Sequence, residues 1–211
     1  MATQVVTITS NEDWIVPLGV TSLQVEGWSL GGNGGDGTFA QPGGGGGGGA
    51  YAKTNAHSVT AGNIIRITFS SGFCQATHGT GSDYIIALLS GTSASGKTAG
   101  SGGTVFVGDV QYIGGNGATG GRDASGGGGG GAGSTGNGEN ASGATHGEGT
   151  VIDGGDGGEG SISGTPTAGS DFGGGGAGGT KTETAGKLGG SAKIVITYEE
   201  AITKCGIPRF A

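Results

Sequence analysis

The segment Gly91-Thr-Ser-Ala-Ser-Gly96-Lys97-Thr98 has the spacing G-x-x-x-x-G-K-[ST], in which backbone amides, a lysine and a hydroxyl can hold a nucleotide's phosphates and Mg²⁺. That chemistry needs a helix directly after the loop, with its N-terminus facing phosphate. Ala99-Gly-Ser-Gly-Gly103 follows instead and cannot start one, so nucleotide binding is not expected. Asp153, Asp156 and Glu159 are a near miss to the calcium-binding nonapeptide repeat, but Ser161 stands where an aliphatic residue is needed and tandem copies are absent. They read as a solvated acidic face, and no metal site is expected. His57, His78 and His146 fall into no Ser–His–Asp or Cys–His grouping and read as loop residues. Asn140-Ala-Ser142 fits a glycosylation sequon, which matters only in a eukaryotic secretory setting. Five aromatics, Phe39, Phe73, Tyr84, Tyr112 and Phe172, stand among polar loops. Such a ring either staples a loop to its scaffold or stands exposed to bind sugar or protein. These five are the candidate binding residues, and no catalytic residue and no cofactor are expected.

The elements that would position them are strands. β-branched and apolar residues gather between turn residues at about 4–9, 22–29, 50–55, 63–69, 83–89, 104–112 and 192–198. In the sixth run Val105 and Val107 fall on one face and Phe106 on the other, as a half-buried strand requires. Trp14 and Trp28 are assigned to the core of this β part.

Residues 114–190 differ in kind, with 33 glycines in 77 positions and few sizeable apolar side chains. Runs such as Gly43–Gly49 and Gly126–Gly131 fit the extended helix of polyproline II type, whose backbone groups find no partner within the helix. Neighbouring helices of the same kind can supply those partners, because glycine has no Cβ to hold chains apart. Gly31-Gly-Asn33-Gly-Gly-Asp36 and Asp153-Gly-Gly-Asp156-Gly-Gly-Glu159 carry a matching three-residue period. The expected fold is therefore all-β, with β-sandwich-like strands combined with a glycine-rich polyglycine II-type helix bundle. The expected division is a β-rich part at 1–113, a glycine part at 114–190, a closing strand at 191–198 and a tail at 199–211.

Composition narrows the function classes. Glycine supplies 58 of 211 residues, while Leu, Ile, Val and Phe supply 37, too few for an ordinary core throughout. Clustering of the apolar residues argues against a disordered chain, and 4 prolines without a Gly-X-Y register argue against collagen. A net charge of −7 removes the basic footprint of a nucleic-acid binder. Cys74 and Cys205 form no CxxC arrangement, so two free thiols are expected. No apolar run approaches ~18 residues, so no membrane insertion is expected, and Met1-Ala-Thr-Gln-Val-Val-Thr-Ile has no signal-peptide pattern.

Four pieces in order resemble the glycine-rich domain of bacteriophage tail and tail-fibre proteins, over about 1–198. They are Trp14 to Trp28, Gly43–Gly49 followed by Ala50-Tyr51-Ala52, Val59 to Thr68, and the closing Gly189-Gly190-Ser-Ala-Lys-Ile194-Val195-Ile196-Thr197-Tyr198. Residues 70–102 look like an insertion in that pattern. The glycine runs are also similar to those of long-tail-fibre tip adhesins, whose loops contact the host.

The resemblance implies a non-enzymatic virion surface protein, made in the host cytoplasm without a signal peptide. It would be a tail-fibre-associated, receptor-binding module for host attachment, with the loops at 33–41, 72–82, 116–125, 137–150 and 165–172 as its variable surface. The implied partners are a host cell-surface glycan or outer-membrane protein, other virion proteins and copies of itself in a trimer. The alternative is a capsid or tail decoration protein docked through the tail containing Ile207, Pro208 and Phe210. Ice binding would call for rows of Thr and Ala, whereas these rows carry Asn, Asp and Glu.

Overall fold

Alternation of apolar residues along most of the strands closes one face of each sheet over a shared core. The computed structural model describes residues 2–79, 81–182 and 185–200. Ten strands form: β1 (Ala2–Ile8), β2 (Glu12–Ile15), β3 (Ser22–Trp28), β4 (Tyr51–Ser58), β5 (Ile64–Phe69), β6 (Phe73–His78), β7 (Tyr84–Leu89), β8 (Val105–Val107), β9 (Val110–Tyr112) and β10 (Lys193–Glu200). They make two five-stranded antiparallel sheets, ordered β1-β10-β3-β4-β9 and β2-β5-β6-β7-β8. The inward residues Leu23, Val25, Ile194 and Ile196 of the first sheet meet Ile65, Ile67, Ile86 and Leu88 of the second in one cluster. This is the expected sandwich, and each fully buried Ile or Leu contributes roughly 1.5–3 kcal/mol by leaving water.

Two strand expectations change. The segment at 104–112 is two strands, β8 and β9, because Gly108 at φ +153° breaks the run and sends its halves to different sheets. Residues 72–82 are not a loop, since 73–78 form β6, whose Cys74 and Ala76 are fully buried between β5 and β7.

The expected polyglycine-helix bundle is corrected. Among the described residues there is no helix of any kind, the regular elements are strands alone, and the glycine-rich runs lie outside them. Their order comes mainly from backbone hydrogen bonds between segments distant in sequence. The 43–49 segment donates from Gly43, Gly46 and Gly49 to the carbonyls of Gly179, Gly176 and Gly173, from Gly44 and Gly47 to Gly96 and Thr92, and from Gly45 and Gly48 to Ala118 and Gly115. It accepts from Gly32 and Gly35, from Gly100 and Gly103, and from Gly126, Gly129 and Ala132. One segment is thus ringed by six others, and every third residue returns to the same neighbour. Such proximity excludes side chains: a Cβ on Gly45 would lie 1.9 Å from the carbonyl oxygen of Gly127.

At the rim of this block, where a ring of six is incomplete, side chains take over the carbonyl's role. Asn33 and Asp36 accept from the amides of Gly189 and Gly186, each at 3.0 Å, and Asn116 and Asn140 accept from Gly102 and Asn116 at 2.9 and 2.7 Å. Asn33 and Asp36 of the three-residue polar period are therefore caps on neighbouring backbone, satisfying amides that no further segment reaches.

Candidate functional site

The hydrogen-bond register fixes which turns lie at which end of the glycine block. Ser29 bonds Ala50, Gly103 bonds Gly48, Gly114 bonds Gly103, Ala132 bonds Gly49 and Gly173 bonds Ser191, so these residues share the end from which the strands emerge. Gly35 bonds Gly44, Gly43 bonds Gly179, Gly44 bonds Gly96, Gly126 bonds Gly43, Gly127 bonds Gly143 and Gly160 bonds Ala144, so those share the opposite end. The turns around 36–42, 95–98, 119–124, 142–145 and 161–164 are consequently gathered on one distal face, with the turn that begins at Thr180 beside them.

This face carries exposed apolar groups beside cations. Phe39 is 89% and Ile162 68% exposed. A cleft of about 400 Å³ is lined by Gln41, Lys97, Gly120, Arg122 and Lys181. Lys181 Nζ pairs with Asp123 at 3.1 Å, while Lys97 and Arg122 have no carboxylate partner among the described residues. Three of the chain's nine Lys and Arg residues therefore converge on one cleft of a protein with net charge −7. Lys97 comes from the segment with nucleotide-loop spacing, which forms a tight turn with Ser95 bridged to Thr98 and Gly96 at φ +52°. No helix follows it.

The five candidate aromatics separate into three settings. Phe39 alone stands on the distal face. Phe73 in β6 and Tyr84 in β7, 37% and 43% exposed, line an apolar groove of about 530 Å³ with Leu89 and Phe106 on the second sheet. Phe73 thus lies in a strand rather than in the expected 72–82 loop, Tyr84 opens the strand expected at 83–89, and the groove adds Phe106, whose outward position follows from the alternation of 105–107. Tyr112 and Phe172 are half-buried staples. Tyr112 stacks on buried Tyr51 with centroids 6.2 Å apart. Phe172 covers Lys193, whose Nζ lies 3.7 Å from its centroid, 4.2 Å from that of Trp28 and 3.6 Å from Asp153 Oδ1. Among the described residues, Asp153 and Phe172 are also the two non-glycine residues with left-handed backbone, at φ 62° and 66°.

The acidic row at 153–159 is not a shared cation site. Asp153 meets Lys193, Asp156 accepts from the amide of Gly149 at 2.8 Å, and Glu159 meets His146 Nδ1 at 2.5 Å. All three carboxylates are exposed, as expected of a solvated face, and each in addition tethers a different neighbour. The expectation that the histidines are loop residues also fails for two of them, since His57 lies in β4 and His78 ends β6. Their rings meet edge to face at 5.5 Å, and Asp83 stands beside them. This grouping joins 57, 78 and 83 through pairing between strands, which spacing along the chain does not reveal.

Of the two cysteines, Cys74 is free and fully buried, and burial pushes its thiol well above the ordinary range. Cys205 and the tail residues Ile207, Pro208 and Phe210 lie outside the described residues. No family model matches the chain, and the curated proteins searched contain no match.

Proposed function

We propose that this chain is a bacteriophage virion surface module for host attachment, in which the glycine block carries its distal turns as a pre-organised contact face. The observation that carries this reading is the convergence of separate turns, bearing Phe39, Ile162, Lys97, Arg122 and Lys181, at the end of the block farthest from the sheets. A binding face assembled from turns tied into a backbone lattice loses little conformational entropy when it engages a partner. Phe39 offers a flat apolar surface for a sugar ring, and the cationic cleft suits phosphate or carboxylate groups. The partner class is accordingly an anionic cell-surface glycan of the host, and the face acts by binding without chemical conversion.

Purified full-length protein, labelled with a fluorophore, is expected to bind intact bacteria of a susceptible strain saturably and to be displaced by that strain's isolated surface glycan. Binding should weaken as salt rises, because the cleft acts through charge. A folded protein that binds neither cells nor glycan would contradict attachment and favour the decoration role.

A further inference from the structure

At the end of the sandwich away from the glycine block, three potential ligands meet from three different strands or their ends. His57 lies near the end of β4 in the first sheet, His78 closes β6 in the second, and Asp83 immediately precedes β7. Strand pairing places them: His57 lies opposite Leu23 of β3, and His78 opposite Ile65 of β5. The His78 amide donates to the Asp83 carbonyl at 2.8 Å, which fixes the hairpin that holds those two residues side by side. One ligand atom from each of the three lies within 4.8 Å of the others.

We propose that His57, His78 and Asp83 form a binding site for one divalent transition-metal ion of the zinc type, bridging the two sheets. Two imidazole nitrogens and one carboxylate oxygen are a donor set that suits zinc and its neighbours. Bonds of about 2.0–2.2 Å place tetrahedral ligand atoms closer together than they stand here, so the side chains close inward onto the ion. The exposed Asp83 makes that movement easy, and the fourth position is left to water.

A second observation points to a missing partner. His57 Nε2 is buried and has no hydrogen-bond partner among the described residues. A buried nitrogen without a partner destabilises the fold, and coordination removes that deficit.

The test is calorimetric titration of Zn²⁺ into chelator-stripped full-length protein carrying Cys205→Ser, which removes a competing thiol. One equivalent is expected to bind and to raise Tm, because the ion favours the folded state. His57→Gln and His78→Gln should each weaken binding by at least about tenfold, whereas His146→Gln should not change it. Asp83→Asn, at an exposed position, keeps the test valid if a histidine variant fails to fold, and it should weaken Zn²⁺ binding in the same direction. Absence of Zn²⁺ binding, affinity unchanged in the site variants, or equal binding of Mg²⁺ would overturn the proposal.

Discussion

Single residues separate fastening from contact. Lys193 is 8% exposed and sits between the Phe172 and Trp28 rings beside Asp153, so one cation ties β10 to two turns of the glycine block. Desolvated cation–ring contacts contribute about 2 kcal/mol, and Lys193→Met, which keeps volume but removes charge, is expected to cost roughly 1–3 kcal/mol in urea denaturation. Phe39→Ser, by contrast, should change stability by less than about 0.5 kcal/mol, since the residue is 89% exposed. The left-handed backbone at Asp153 and Phe172 belongs to the same fastening, because each strained turn delivers the group that meets Lys193. The pair formed by Glu159 and His146 gives a pH signature. Hydrogen bonding to His146 is the main cause that holds the Glu159 carboxyl below its usual range. A depressed carboxylate stabilises the fold above its unfolded pKa and loses that contribution as pH falls through the folded one. Stability measured from pH 6 down to pH 3 should therefore fall less steeply in Glu159→Gln than in the native chain.

At the level of elements, the sheets follow from periodicity and the glycine block from the absence of side chains. Alternation in 22–29, 63–69 and 192–198 marked strands because one face had to be apolar. β6 escaped notice because Gln75 and Thr77 interrupt its apolar residues, although the buried positions Cys74 and Ala76 still alternate with them. The glycine segments carry no amphipathic signal, and their partners lie up to 159 positions away, as with Gly190 for Gly31. Sequence could show that these runs permit close approach, yet not which segment approaches which. That approach is the element's stability, and it makes a sharp contrast testable. Gly45→Ala puts a methyl group 1.9 Å from a backbone oxygen that six-fold packing prevents from moving, and is expected to cost more than about 3 kcal/mol. Gly72→Ala meets nothing within 4 Å at an ordinary φ, and thermal denaturation should leave it within about 1 kcal/mol of the native chain.

Across the whole molecule, sandwich and block are interleaved along the chain. The backbone passes between them after β3, before β4, after β7, before β8, after β9 and before β10, so neither part is built from one continuous stretch. Unfolding should therefore be cooperative. In a Cys205→Ser chain, Cys74 is expected to resist a thiol reagent until global unfolding, reacting at the same denaturant concentration at which the circular dichroism signal is lost. The same interleaving explains why the candidate site was only partly legible. Phe39 was visible as an aromatic stranded between glycine runs, whereas Lys97, Arg122 and Lys181 lie on separate turns that only the block's register brings to one cleft. Phe73 and Tyr84 were visible as aromatics, but their place is the groove on the second sheet, which serves as an internal comparison for the distal face. The decisive measurement is the affinity for intact bacteria of a distal variant, Phe39→Ser with Arg122→Gln, against a groove variant, Phe73→Ser with Phe106→Ser. The distal variant should lose at least about tenfold in affinity, or about 1.4 kcal/mol, with the groove variant unchanged. Loss confined to the groove variant would contradict the assignment of the distal turns as the contact face.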